Sequence, residues 1–224
     1  MKNMMTEYVL PFLEKNYQLK EAIVSKMLRC IGIGEAQLET KVKNLIEQQS
    51  NPTIAPLAAD GEVALRLTAL ASSKAEANRL IEAKETELQA LIGSYIYGSD
   101  EQTLAEVVID RLKEKNQTIA GAESLTGGLF SDRLVTLPGT SEVFKGGIVC
   151  YAPEVKENIL GVRKETIEQE GTVSRACAEE MAQNVAHRLN ASIGISFTGV
   201  AGPSKSEGKD VGTVYVSVYD KNGY

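Results

Sequence analysis

The stretch Thr118-Ile119-Ala120-Gly121-Ala122-Glu123-Ser124-Leu125-Thr126-Gly127-Gly128 decides the architecture of the second half of the chain. Thr118 to Ala122 reads as a short apolar strand, and Leu125 to Leu137 as a helix following almost directly. A strand running into a helix is the repeating unit of an α/β sheet. The same alternation continues outward. Upstream, Leu104, Val107, Val108 and Leu112 recur at helical spacing, in a helix that Asp100 would cap with Thr103 in its first turn. Downstream come a strand at 147–151, short helices at 153–160 and 164–170, a helix at 174–189, and strands at 191–198 and 211–219. This order predicts an α/β three-layer sandwich, with helices covering a sheet.

The residues before it predict a smaller α+β domain over 21–98, with the second domain covering 99–224. Ile23 to Ile31 reads as a strand, followed by Gly32-Ile33-Gly34-Glu35 and a helix to about Gln49 with Leu38, Val42, Leu45 and Ile46 on one face. Pro52 and Pro56 bracket a short extended piece. Glu62 to Leu70 alternates as a strand, with Val63, Leu65, Leu67 and Ala69 pointing one way. Lys74 to Leu91 is rich in helix formers and carries the stripe Ala77, Leu80, Ile81, Lys84 and Leu88; Gly93 to Gly98 reads as a last strand. Residues 1–20, with the apolar cluster Tyr8 to Leu13, are too short for a domain and read as the tail of a preceding one.

Composition removes several function classes. The 224 residues hold 24 Lys+Arg against 30 Asp+Glu, and neither half is basic: 11 against 12 up to Gly98, 13 against 18 from Ser99. Without a basic stripe to neutralise phosphates, no direct nucleic-acid contact is expected. No apolar run is long enough to span a bilayer, and the start lacks an apolar signal core. The three cysteines, Cys30, Cys150 and Cys177, form no metal spacing and no disulfide framework, which suits a reducing cytoplasm. No metal and no cofactor are expected. The one histidine, His187, falls about 200° around its helix from Val185 and Leu189 and should face solvent. A histidine-based mechanism is therefore disfavoured.

Three places can still carry chemistry. Ser124 stands where a strand opens into a helix, so it is either a simple N-cap or a nucleophile. In the second case the amides of Thr126, Gly127 and Gly128 would point outward and hold an oxyanion or phosphate. A nucleophile needs a base, and Lys156 is a candidate: it lies on the first turn of a helix that Pro153 starts after the strand ending at Tyr151. The positive helix end and partial burial would both favour its neutral amine; the alternative is an ordinary surface lysine. Thr198-Gly199-Val200-Ala201-Gly202-Pro203 is a turn after another apolar strand that could cradle an anion or merely connect. Gly32-Ile33-Gly34 is too short for a dinucleotide fingerprint and lacks the spacing and basic setting of a KH clamp.

Taken together, Ala122 to Gly128, Pro138-Gly139-Thr140-Ser141, Gly147 to Tyr151, Lys156-Glu157 with Leu160-Gly161-Val162, Gly171 to Ser174, Thr198 to Pro203 and Val211 to Val214 resemble the CinA C-terminal domain family in order and spacing. The first half is similar to the small KH-like linker domain of longer members, which follows a molybdopterin-binding-like domain. The resemblance implies deamidation of nicotinamide mononucleotide to nicotinate mononucleotide and ammonia. It assigns Ser124 as nucleophile, Lys156 as general base and Tyr151 as a proton-handling partner. It leaves Thr126, Gly127 and Gly128 as oxyanion donors, with Thr198, Gly199 and Gly202 assigned to the ribose phosphate. A rival reading is a non-enzymatic docking module for a protein partner in competence or DNA repair; another is an esterase or amidase of different specificity.

Asn222-Gly223 is a strong hairpin-turn signal one residue from the end. It predicts a chain that continues into another strand and a helix. An unpaired strand there would promote self-association, with a homodimer as the simplest form, or poor solubility.

Overall fold

The computed structural model describes residues 4–17, 21–59 and 61–223. The chain divides into two compact units, Met1–Leu104 and Ala105–Tyr224, each built on its own apolar clusters. Of the stretch 1–20, residues 1–3 and 18–20 lie outside the described residues. The rest is helical: a π-type turn over Met5–Val9 leads into α1 (Leu10–Tyr17), with Met5, Tyr8 and Phe12 exposed.

The first unit continues through β1 (Ala22–Cys30), α2 (Glu35–Glu47), β2 (Thr53–Ala59), β3 (Glu62–Ala71), α3 (Lys74–Ile92) and β4 (Ile96–Ser99). Its sheet runs β2-β3-β1-β4, antiparallel throughout. The period-two pattern of β3 explains how it is covered. Val63, Leu65, Leu67 and Ala69 are all buried in one cluster with Leu38 and Val42 of α2 and Ala77, Ile81, Leu88 and Ile92 of α3. The piece between Pro52 and Pro56 is a full strand. It lies at the sheet edge, where the missing amide of Pro56 breaks no interior ladder. Asp100 does not cap a helix. It sits at φ 52°, its carboxylate accepts the Met27 amide (2.8 Å), and its own amide donates to Met27 O (2.8 Å). Those bonds prolong the pairing of β4 with β1, so the next helix starts only at Leu104.

The second unit comprises α4 (Leu104–Glu114), β5 (Ile119–Glu123), α5 (Leu129–Val135), β6 (Phe144–Val149), α6 (Pro153–Val155, continuing as a π-type turn over Lys156–Leu160), α7 (Lys164–Glu170), α8 (Arg175–Arg188), β7 (Ile193–Gly199) and β8 (Val214–Asp220). The sheet order is β6-β5-β7-β8, with β5 parallel to both neighbours and β8 antiparallel to β7. Strand alternation feeds two separate cores, which makes the three layers. Ile119, Ile193 and Ile195 pack with Ile109 and Leu112 of α4 and Leu134 of α5. Ala120 and Ala122 point the other way, to Cys177, Met181 and Val185 of α8. On that side Gly194 allows the closest approach: a Cβ there would lie 1.9 Å from Ala182 O.

One helix differs from expectation in a way that matters for the site. α5 begins at Leu129, not Leu125. Gly127 (φ 58°) and Gly128 (φ 109°) are left-handed, a conformation that interrupts any right-handed helix, so the chain makes a separate turn first.

Candidate active site

The C-terminal ends of β5 and β6 lie side by side, because Cys150 N donates to Glu123 O (2.8 Å) across them. Open α/β sheets place ligands beyond these ends. Ser124 is the first residue past β5. Beyond β6, Ala152 and Pro153 turn the chain into α6, where proline at the first helical position costs no hydrogen bond. The following π-type turn points Lys156 back beneath Ser124.

Lys156 is 1% exposed and Ser124 7%. The Lys156 Nζ lies 2.9 Å from Ser124 Oγ, 2.7 Å from Cys150 O and 3.1 Å from Tyr151 O. Burial pushes its pKa below the ordinary lysine value, opposed by fields from Cys150, Cys177 and Glu207. The two thiols are themselves held protonated by burial, Cys177 up to about 11, so near neutral pH Glu207 is the opposing charge that counts. The helix above is held in place from α8: Asn184 Nδ2 donates to Gly161 O and Arg188 Nε to Leu160 O, both at 2.7 Å.

The expected oxyanion donors are only partly present. Glu123, fully buried, folds back over the start of α5, where its carboxylate accepts from the amides of Gly128 (3.0 Å), Phe130 (2.9 Å) and Ser131 (3.0 Å) and from Ser131 Oγ (2.7 Å). Burial opposes its charge, yet the Ser131 hydroxyl and the amides of Ser131 and Phe130 outweigh this and hold its pKa below the usual carboxylate range. The protein's own anion thus occupies the helix N-terminus. Gly127 N is also engaged, by Ser124 O (3.1 Å). Among the described residues, the amides of Leu125 and Thr126 make no hydrogen bond. Thr126 Oγ1 is buried near the Glu123 carboxylate without reaching hydrogen-bond geometry. Glu123 is the functional residue that sequence reasoning missed. Its signal was an acidic residue at a strand end, followed by a turn and a helix start within reach of its side chain.

The other expected residues divide. Tyr151 reaches the pair through its backbone carbonyl, while its side chain is 71% exposed and its phenol is not brought to Lys156. Thr198 is buried and its hydroxyl donates to Thr172 O (2.7 Å). Gly199 lies against the turn that follows Ser124, with Leu125 Cδ1 3.1 Å from where a Cβ would stand. Val200 N donates to Thr213 O, and Gly202, at φ 95°, turns the chain into the loop beyond. The Thr198 hydroxyl and the Val200 amide are thus engaged in holding the loop. His187 is exposed and sits 3.1 Å from Tyr219 Oη. Among the described residues no group of three or more His, Cys, Asp or Glu side chains could hold a metal ion, and no helix is long and apolar enough to cross a membrane.

An α/β domain on a mixed sheet, with a buried serine–lysine pair at its strand ends and a small α+β unit before it, defines the class of protein. Residues 101–224 match the CinA C-terminal domain, and residues 25–98 match the damage-inducible protein CinA KH domain. The chain belongs to the CinA family. It is 52% identical over 218 residues to a protein of Geobacillus sp. (strain WCH70) provisionally named competence-damage inducible, covering 97% of this chain and 52% of that one. A Bacillus cereus (strain AH820) protein with the same name is 50% identical over 222 residues, 99% of this chain and 54% of that one. The chain thus spans about half the length of these curated relatives. Among solved structures, the competence/damage inducible protein CihA from Agrobacterium tumefaciens is 36% identical with a TM-score of 0.52, over 54% of this chain and 74% of that one. A CinA superfamily protein from Escherichia coli is 31% identical with a TM-score of 0.52, over 53% of this chain and 69% of that one.

Proposed function

We propose that the second unit is an amidohydrolase that deamidates nicotinamide mononucleotide through Ser124 and Lys156. The observation that carries this is the 2.9 Å contact between Lys156 Nζ and Ser124 Oγ, with both side chains buried. A neutral amine has two hydrogens and one lone pair. The two carbonyls beside it, Cys150 O and Tyr151 O, can only accept, so they take the two hydrogens and the lone pair is left for the serine proton.

Ser124 Oγ attacks the carboxamide carbon as Lys156 takes its proton. The amides of Leu125 and Thr126, free of other bonds, are the donors for the resulting oxyanion; one such donor is typically worth about 3 kcal/mol. The carbon–nitrogen bond then breaks. Ammonia leaves with the proton carried by Lys156, and the acyl group stays on Ser124 as an ester. Water attacks the ester, Lys156 takes a proton from it, and that proton returns to Ser124 Oγ as nicotinate mononucleotide leaves.

The test is ammonia release from nicotinamide mononucleotide by the chain and by Ser124→Ala and Lys156→Ala. Activity in the parent that each substitution lowers by on the order of a thousandfold or more supports the reading. A folded parent that releases no ammonia, or variants that match the parent, would overturn it.

A further inference from the structure

The segment between β7 and β8, residues 200–213, is almost wholly exposed after Val200, and Gly202, Glu207, Gly208 and Gly212 take left-handed backbone conformations. Its local ties, a backbone bridge between Ser206 and Lys209 and an ion pair between Lys205 and Asp210, lie within the loop and do not fix where it sits. It is nevertheless tied down at its tip. The Glu207 carboxylate accepts from Thr172 N (2.9 Å), Thr172 Oγ1 (2.6 Å) and Val173 N (3.0 Å). Gly171 makes room for it: a Cβ there would lie 2.3 Å from Glu207 Oε2. The tie continues inward, because Thr172 O accepts the hydroxyl proton of buried Thr198 at the end of β7. One residue further, Gly199 packs on Leu125 of the nucleophile turn, and Ser124 N donates to Phe197 O of the same strand.

We propose that Glu207 is a positioning residue that latches the β7–β8 loop onto the Thr172–Val173 turn, making that loop a fixed wall of the Ser124–Lys156 site against which the non-reacting end of the substrate is held. The role in substrate binding rests on the amidohydrolase reading; the latch does not. Charge-assisted bonds to two amides and a hydroxyl are strong enough to hold the loop against that turn.

The experiment compares the parent with Glu207→Gln, Glu207→Ala and Thr172→Val by two readouts. Trypsin cleavage after Lys205 and Lys209, both within the loop, reads the latch without any need for catalysis. Cleavage should be about tenfold faster in both Glu207 variants and intermediate in Thr172→Val, with thermal unfolding unchanged. Equal cleavage rates in parent and variants would overturn the latch. Steady-state deamidation reads the positioning role: KM should rise about tenfold in Glu207→Gln while kcat stays within about twofold. A fall in kcat with KM unchanged would overturn positioning and place Glu207 in the chemistry. A parent that releases no ammonia sinks the amidohydrolase reading, and the latch still stands or falls on the cleavage rates.

Discussion

A lysine serves as a base only while it is uncharged, and burial shifts Lys156 toward that state, with two carbonyls as its fixed acceptors. Its pKa is depressed, so the active amine persists down to a lower pH than for a free lysine, about 10.4, and is lost as pH falls through the lowered value. The pH profile of kcat/KM should show one acidic limb below the ordinary lysine range. Lys156→Arg, which cannot deprotonate, should erase the activity; a limb unchanged in that variant would assign it to another group. Glu123 works in the opposite sense. Its folded pKa lies below the unfolded value of about 4.3, so its contribution to stability is complete above that value and fades as pH drops through the folded one. Glu123→Gln should cost on the order of 3 kcal/mol in urea unfolding near neutrality, with the gap to the parent closing on acidification. A gap independent of pH would mean that shape, not charge, holds the start of α5. These two residues also differ in how far they could be read from sequence. The roles of the serine and lysine were expected from the resemblance to the CinA C-terminal domain, because a single histidine turned to solvent still left Lys, Asp, Glu or Tyr open as the base. The role of Glu123 was not, because it depends on a glycine turn that delays α5 and brings three amides and a hydroxyl around one carboxylate.

At the scale of elements, periodicity carried the reading wherever a side chain's neighbours along the chain decide its burial. The alternating face of β3 and the stripe of α3 came through because each repeats at the period of its own element. Exceptions arose where a local backbone conformation intervenes, as the left-handed Gly127 and Gly128 that delay α5 to Leu129, or a distant backbone group does. Asp100 looked like a helix cap, yet Met27 on β1 claims both its amide and its carboxylate. The edge position of β2, which accommodates Pro56, is a property of the sheet order and appears in no single stretch. The contact of α8 with β7 is of the same long-range kind and is closest at one residue. Gly194→Ala would drive a methyl into Ala182 O, which helix backbone cannot yield without shifting α8 as a whole. We expect a loss of about 3 kcal/mol in chemical denaturation, from overpacking against a rigid neighbour. Gly34→Ala, where nothing lies within 4 Å, serves as the control and should change stability far less.

Over the whole molecule, each unit encloses its own core: one cluster around Leu28, Leu65 and Leu67, and two more on the faces of the second sheet. The residues proposed for catalysis, Ser124 and Lys156, and those that hold them, Glu123, Asn184 and Arg188, all come from the second unit. A core of this kind is sensitive to truncation, because the surrounding side chains collapse only partly into the space left. Leu65 is wholly buried in the first cluster, so Leu65→Ala should destabilise the first unit by roughly 3 kcal/mol. If the units unfold as separate cooperative bodies, calorimetry of this variant should show one transition lowered and the other unmoved. Deamidation measured below the lowered transition should then match the parent in both kcat and KM. A parallel fall in activity and in both transitions would show instead that the chemistry depends on the first unit's integrity, and the proposal that the second unit suffices for it would be lost.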